Sequence, residues 1–121
     1  MKSIKLFMLI ALAVSAASCN KVQWQPAGDH IMTEWGENLT LDNVHQEYPR
    51  PQMIREEWVN LNGLWNYAIT PADVEDAECA DGHILVPFAV ESALSGVGRT
   101  VTENDALWYE REFTVPGNWK R

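Results

Sequence analysis

From Leu107 to Val115 the chain alternates without a break. Leu107, Tyr109, Arg111, Phe113 and Val115 fall on one side; Trp108, Glu110, Glu112 and Thr114 fall on the other. A period of two is what a β-strand with one face on a core requires, and Pro116-Gly117 stops it. Such a strand needs partners, because alone it leaves its main-chain N–H and C=O groups unpaired. Two other segments can supply them. Leu64 to Thr70 alternates with Trp65, Tyr67 and Ile69 on one side, follows the turn signal Leu61-Asn62-Gly63 and ends at Pro71; His83 to Val86 is a short apolar run closed by Pro87. Widely spaced strands separated by turn residues predict an all-β fold, an antiparallel β-sandwich.

The N-terminus does not belong to that fold. Lys2 and Lys5 begin it, an apolar run covers Leu6 to Val14, and Ser15, Ala16, Ala17 and Ser18 precede Cys19. A basic start, a short apolar core and small residues at the end form a signal peptide, so 1–18 is read as a leader removed on export. The run is too short to span a bilayer. Small residues directly before a cysteine resemble the bacterial lipobox, although the usual leucine three residues earlier is missing. Cys19 is therefore the expected lipidation site, attaching the protein to a membrane in the periplasm or at the outer membrane through more than one acyl chain. Residues 19–47 show no sustained period and read as a tether and extended lead-in. The domain proper is expected over 48–121.

Charge and residue types exclude several functions. Removing Lys2 and Lys5 leaves seven basic residues against seventeen acidic ones, a net charge of about −10. That disfavours nucleic acid as a partner. With Cys19 lipidated only Cys79 remains, so neither a disulfide framework nor a cysteine metal site is available. His30, His45 and His83 are scattered and give no metal-ligand spacing. The acidic segment 72–82 lacks the ligand order of an EF-hand loop and reads as a solvated connection. No metal and no cofactor is expected.

Between the strands the signals are local. The two prolines of Tyr48 to Met53 impose extended backbone. Gln52 to Val59 has brief helical spacing that would place Ile54 and Trp58 together, and Glu91 to Leu94 reads as one helical turn within a long loop from Phe88 to Asp105. Trp65, Tyr67 and Tyr109 are expected to pack in a core, with stacking on a sugar ring as the alternative. Trp108, on the polar side of its strand, is expected under a loop or against another domain. Arg111 shares a side with Leu107, Tyr109 and Phe113. A guanidinium there needs a partner, and Glu56 or Glu57 is the expected one.

Four blocks in order, YPRPQM, LNGLWNY, ILVPFAVES and ENDALWYEREFTVPGNW, resemble the start of glycoside hydrolase family 2, the family of β-galactosidases, β-glucuronidases and β-mannosidases. The resemblance runs from about Trp35 to Arg121. It implies a galactose-binding-like jelly-roll sandwich, the family's N-terminal sugar-binding domain, and a β-glycoside as the partner of the whole enzyme. The family hydrolyses glycosidic bonds with retention, using two glutamates about 5 Å apart. Both belong to a barrel domain that follows, so no catalytic residue is carried onto this chain. Loops of the sugar-binding domain reach the barrel's active site, and on that basis Asn104 and Asp105 are the substrate-binding candidates. The family's domain has further strands beyond this point. The segment 48–121 is therefore expected to be an incomplete jelly roll, with open edges that keep it from folding stably alone. The alternatives to a glycosidase are a non-catalytic carbohydrate-binding lipoprotein and an envelope lipoprotein without a ligand.

Overall fold

The computed structural model describes residues 22–119. The leader 1–18 and the lipidation candidate Cys19 lie outside the described residues.

Strand is the main regular structure. β1 (Gly63–Pro71), β2 (Gly82–Val86) and β3 (Asp105–Glu110) form one open antiparallel sheet in the order β2-β1-β3. The register pairs Trp65 with Ile84 and Tyr67 with Gly82 on one edge of β1, and Tyr67 with Tyr109 and Ile69 with Leu107 on the other. Period-two alternation then divides the sheet into two faces. One carries Trp65, Tyr67 and Ile69 with Ile84, Leu107 and Tyr109. The other carries Leu64, Ala68 and Thr70 with Leu85 and Trp108.

The buried apolar side chains among the described residues are Val44, Ala68, Ile84, Leu85 and Val90. Ile84 and Leu85 are adjacent, so β2 is covered on both faces, which suits its unbroken apolar sequence. Val44 shows that the lead-in is folded back onto the sheet. So does Trp24, whose ring lies against Gly96; a methyl at Gly96 would sit 3.1 Å from its Cδ1. Trp35, by contrast, is 83% exposed on helix α1 (Glu34–Glu37), a single turn whose Thr33 cap accepts a hydrogen bond from the Gly36 N–H at 3.3 Å.

Helical signals condense into tight turns. Gln52 to Val59 is not helical: a 3₁₀ turn at Pro51–Met53 is followed by irregular chain, and Ile54 is 69% exposed. The preceding prolines hold the backbone extended, and eight residues with no buried side cannot sustain a helix. The turn expected at Glu91 to Leu94 is a 3₁₀ turn at Ala93–Ser95, capped by Ser92 Oγ, which accepts from the Leu94 N–H, and closed by Gly96 in the left-handed region. Ser95 is fully buried there. Its hydroxyl lies within hydrogen-bond distance of the Val90 and Ser92 carbonyls and accepts from the Val97 N–H, which satisfies an otherwise irregular loop from within.

One expectation is overturned. The strand read from Leu107 to Val115 stops at Glu110, opposite Asn66. Phe113 and Val115 keep the alternating pattern but are 55% and 45% exposed. Just past the strand's end, the side chain of Arg111 is engaged with the chain before β1.

Candidate functional site

The residues leading into β1 line a concave surface. Arg111 Nη1 donates to the carbonyls of Leu61 and, at 3.0 Å, Asn62. The guanidinium carbon also stands 6.0 Å from the Trp65 ring centre. The expected carboxylate partner, Glu56 or Glu57, is replaced by main-chain oxygens. Two carbonyls left over where a strand begins accept from a forked cation as readily as a carboxylate does, and no second charge is desolvated. Gly63 makes this possible: its φ is +128°, and a methyl there would be 3.2 Å from Arg111 Nη1.

Beside this anchor, Asn60 and Asn62 fix the lead-in. Their Nδ2 groups donate to the same acceptor, the carbonyl of His45, at 2.8 and 2.9 Å. Asn60 Oδ1 in turn accepts from the Asn62 N–H at 2.7 Å. His45 has φ +41°, a left-handed conformation that two amides converge to hold. Its ring contacts Phe88, with centroids 5.7 Å apart.

Between these segments lies an open cleft of 690 Å³, within the range of small-ligand sites. Its lining takes His45, Glu47 and Tyr48 from one segment and Trp58, Asn60 and Asn62 from another, with Pro87. Tyr48 and Trp58 meet edge to face, ring centres 5.0 Å apart. Sequence reasoning passed over this site, treating Tyr48 as part of an extended tract and Trp58 as a helix face. The residues come from two irregular segments, which no periodicity can relate. The available signal was compositional: two asparagines in WVNLNG close to an aromatic.

Asn104 and Asp105, the substrate-binding candidates, lie at the other end of β1, a strand of nine residues and about 26 Å. Both are engaged in the turn entering β3. Asp105 Oδ2 accepts from the Thr102 N–H at 2.9 Å and from Thr102 Oγ1 at 2.8 Å, and the Asn104 carbonyl accepts from the Ala72 N–H. The hydrogen bonds from Thr102 hold the Asp105 carboxyl below its usual pKa, favouring the carboxylate. The structure does not bring this pair to the cleft.

The aromatic face of the sheet is only partly covered. Trp65 and Tyr67 are half-buried, and Tyr109 is 43% exposed, making an edge-on contact with Trp65. The core expected around them is only partly closed by the described residues: Ile84 on the same face is fully covered, while Tyr109 is not. Burial, with Glu91 second, pushes the Tyr109 phenol above its ordinary range. Trp108 is half-buried and donates its Nε1–H to Thr70 Oγ1 at 2.9 Å, a bond within the sheet. Cys79 is a free thiol whose pKa is raised, chiefly by desolvation and then by Glu110, so it is not poised as a thiolate.

Among the described residues no group of three or more His, Cys, Asp or Glu side chains converges on a possible metal position, and no helix is long and apolar enough to cross a membrane. In sequence, no protein-family model matches the chain, and no curated protein matches it.

Proposed function

We propose that this chain is part of an exported, lipid-anchored retaining glycosidase similar to family 2, and that residues 48–121 belong to its N-terminal sugar-binding jelly roll. A β-glycoside, galactoside-like in class, is the substrate of the whole enzyme. The observation that carries this reading is the coincidence of motif and sheet. LNGLWNY supplies β1, ILV supplies the end of β2, and DALWYE is β3. The residues of the resemblance are therefore those that pair with one another. An open antiparallel sheet with one face half covered is also what one layer of a sandwich presents.

In this reading the chain binds and positions, and the two carboxylates of retaining hydrolysis belong to a barrel domain. No cofactor takes part. Sequencing the DNA immediately downstream tests the proposal. An in-frame continuation encoding a barrel with an Asn-Glu pair, together with release of nitrophenol from nitrophenyl β-galactoside by the encoded protein, is the expected result. A stop codon after Arg121 overturns the enzyme reading. The anchor is tested by labelling cells with a palmitate analogue; a Cys19→Ala variant should lose the label, and an unlabelled wild type removes the anchor from the proposal.

A second reading, a carbohydrate-binding lipoprotein without activity, is favoured by the cleft. Its aromatic pair and side-chain amides are chemistry for holding a polyhydroxylated ring, and they need no barrel.

A further inference from the structure

We propose that the cleft between residues 45–49 and 58–62 binds a neutral pyranose, with Trp58 and Tyr48 as its apolar wall and Asn62 and Glu47 as its polar one. The inference takes only the class of ligand from the carbohydrate reading above. The site itself rests on this chain's geometry.

A pyranose is amphipathic. Its axial C–H groups make an apolar patch, while its rim carries hydroxyls that both donate and accept. A matching site needs an aromatic surface beside fixed amide and carboxylate groups. The cleft has both. Trp58 is 39% exposed although it contacts Tyr48, and an edge-to-face pair leaves ring surface open on either partner. The polar wall is held before any ligand arrives. Both Asn60 Nδ2 hydrogens are committed, to the His45 carbonyl and, at 3.4 Å, to Gln46 Oε1, and Asn60 Oδ1 is taken by the Asn62 N–H. Asn60 therefore positions. Asn62 commits one Nδ2 hydrogen to His45, leaving a second hydrogen and Oδ1 among the described contacts. That donor and acceptor, side by side, match two neighbouring hydroxyls. Glu47 adds an acceptor.

Charge narrows the choice of sugar. Glu47 is the one carboxylate on the lining, no Lys or Arg lines the cleft, and the chain is strongly acidic. On that lining a uronic acid would meet like charge, the arginines Arg50 and Arg55 lining instead the adjoining hollow that shares Tyr48, Pro49 and Trp58. The site therefore suits neutral galactosides, glucosides or mannosides over glucuronides.

The test uses the protein as its gene encodes it, labelled with 5-fluorotryptophan. Methyl β-galactoside, methyl β-glucoside, methyl β-mannoside and methyl β-glucuronide are titrated separately, with ¹⁹F spectra and calorimetry as readouts. At least one neutral glycoside should shift the Trp58 resonance, assigned with Trp58→Phe, and leave that of the exposed Trp35 in place; the glucuronide should bind more weakly. Trp58→Ala should weaken binding about tenfold or more, the effect of truncating a central aromatic anchor. Asn62→Ala should weaken it by a smaller factor. No Trp58 shift with any neutral glycoside in the wild type, or tightest binding of the glucuronide, overturns the inference, and the second of these, read by calorimetry, needs no variant. The two proposals fail separately. Hydrolysis of nitrophenyl glycosides with a silent Trp58 sinks the cleft and spares the enzyme; a sugar-dependent Trp58 shift without hydrolysis spares the cleft and sinks the enzyme.

Discussion

The two ends of β1 solve the same problem with opposite chemistry. At the Gly63 end the loose main-chain groups are carbonyls, and they are met by donors: Arg111 on Leu61 and Asn62, the Trp65 indole on Leu61, and Asn60 and Asn62 on His45. At the Pro71 end they are N–H groups, and they are met by carboxylates. Asp81 accepts from Ile69 at 2.8 Å, and Asp105 from Thr102. The first end uses a permanent cation and neutral amides, and it draws in chain from about fifteen residues or more away. The second uses acids: Asp105 serves its own turn, and Asp81 reaches back twelve residues to Ile69. One end should therefore carry long-range stability that ignores pH; the other should carry local order that depends on it.

Removing the cation tests the first half of that contrast most severely. Arg111→Ala leaves two carbonyls without their donor and uncovers Trp65. A loss of about 2–3 kcal/mol is expected from the hydrogen bonds to the charged group. It would be measured by denaturant unfolding in the shortest stretch of the encoded protein that unfolds cooperatively. Arg111→Lys should restore only part, because an ammonium is more strongly hydrated and has no planar group to lie near the Trp65 ring. Full rescue by lysine would mean that charge, not geometry, holds this end. Next in size is Asn60→Ala, expected to cost about 1–2 kcal/mol through the lost hold on His45. Hydrogen exchange should quicken around 44–48 in this variant and stay unchanged at 102–105.

The smallest effect belongs to the acid end. The folded-state pKa of Asp105 is lowered, so its contribution is present above the ordinary aspartate value, about 4, and is lost as pH falls below that toward the folded value. Because the group is at the surface, the change should be local: NMR signals of Thr102 and Asp105 should move with acidification while those of Leu61 to Gly63 do not. Asp105→Asn should abolish this titration. If the Gly63 end melts in the same pH window, the two ends are not independent.

What could be read from sequence follows from what periodicity encodes. β1 was legible because its alternation coincides with partners on a ladder, and β2 because a short apolar run closed by proline suits a strand buried on both faces. The stretch Phe113 to Val115 has equally good alternation and no partner. A period of two states which side a residue would take in a sheet, not whether a neighbouring strand is within reach. The choice of Glu56 or Glu57 for Arg111 failed for a related reason. Charge pattern sees side chains only, and the groups that needed this guanidinium were main-chain oxygens. The cleft was invisible because its walls are two aperiodic segments joined by amide-to-carbonyl bonds. Asn104 does precede a strand, while Asp105 is that strand's first residue, and both lie at the end of the sheet remote from that cleft.

Gly63 has a consequence for how this protein can vary. Its backbone conformation disfavours any side chain, and the space a side chain would occupy already holds the Arg111 fork. The two positions, nearly fifty residues apart, are thus epistatic. With arginine present, an alanine at 63 is opposed by both backbone strain and collision; once arginine is gone, strain alone opposes it. A lineage that lost Arg111 would find position 63 freer to drift. One that kept Arg111 would hold this glycine in place, whatever became of the cleft beside it.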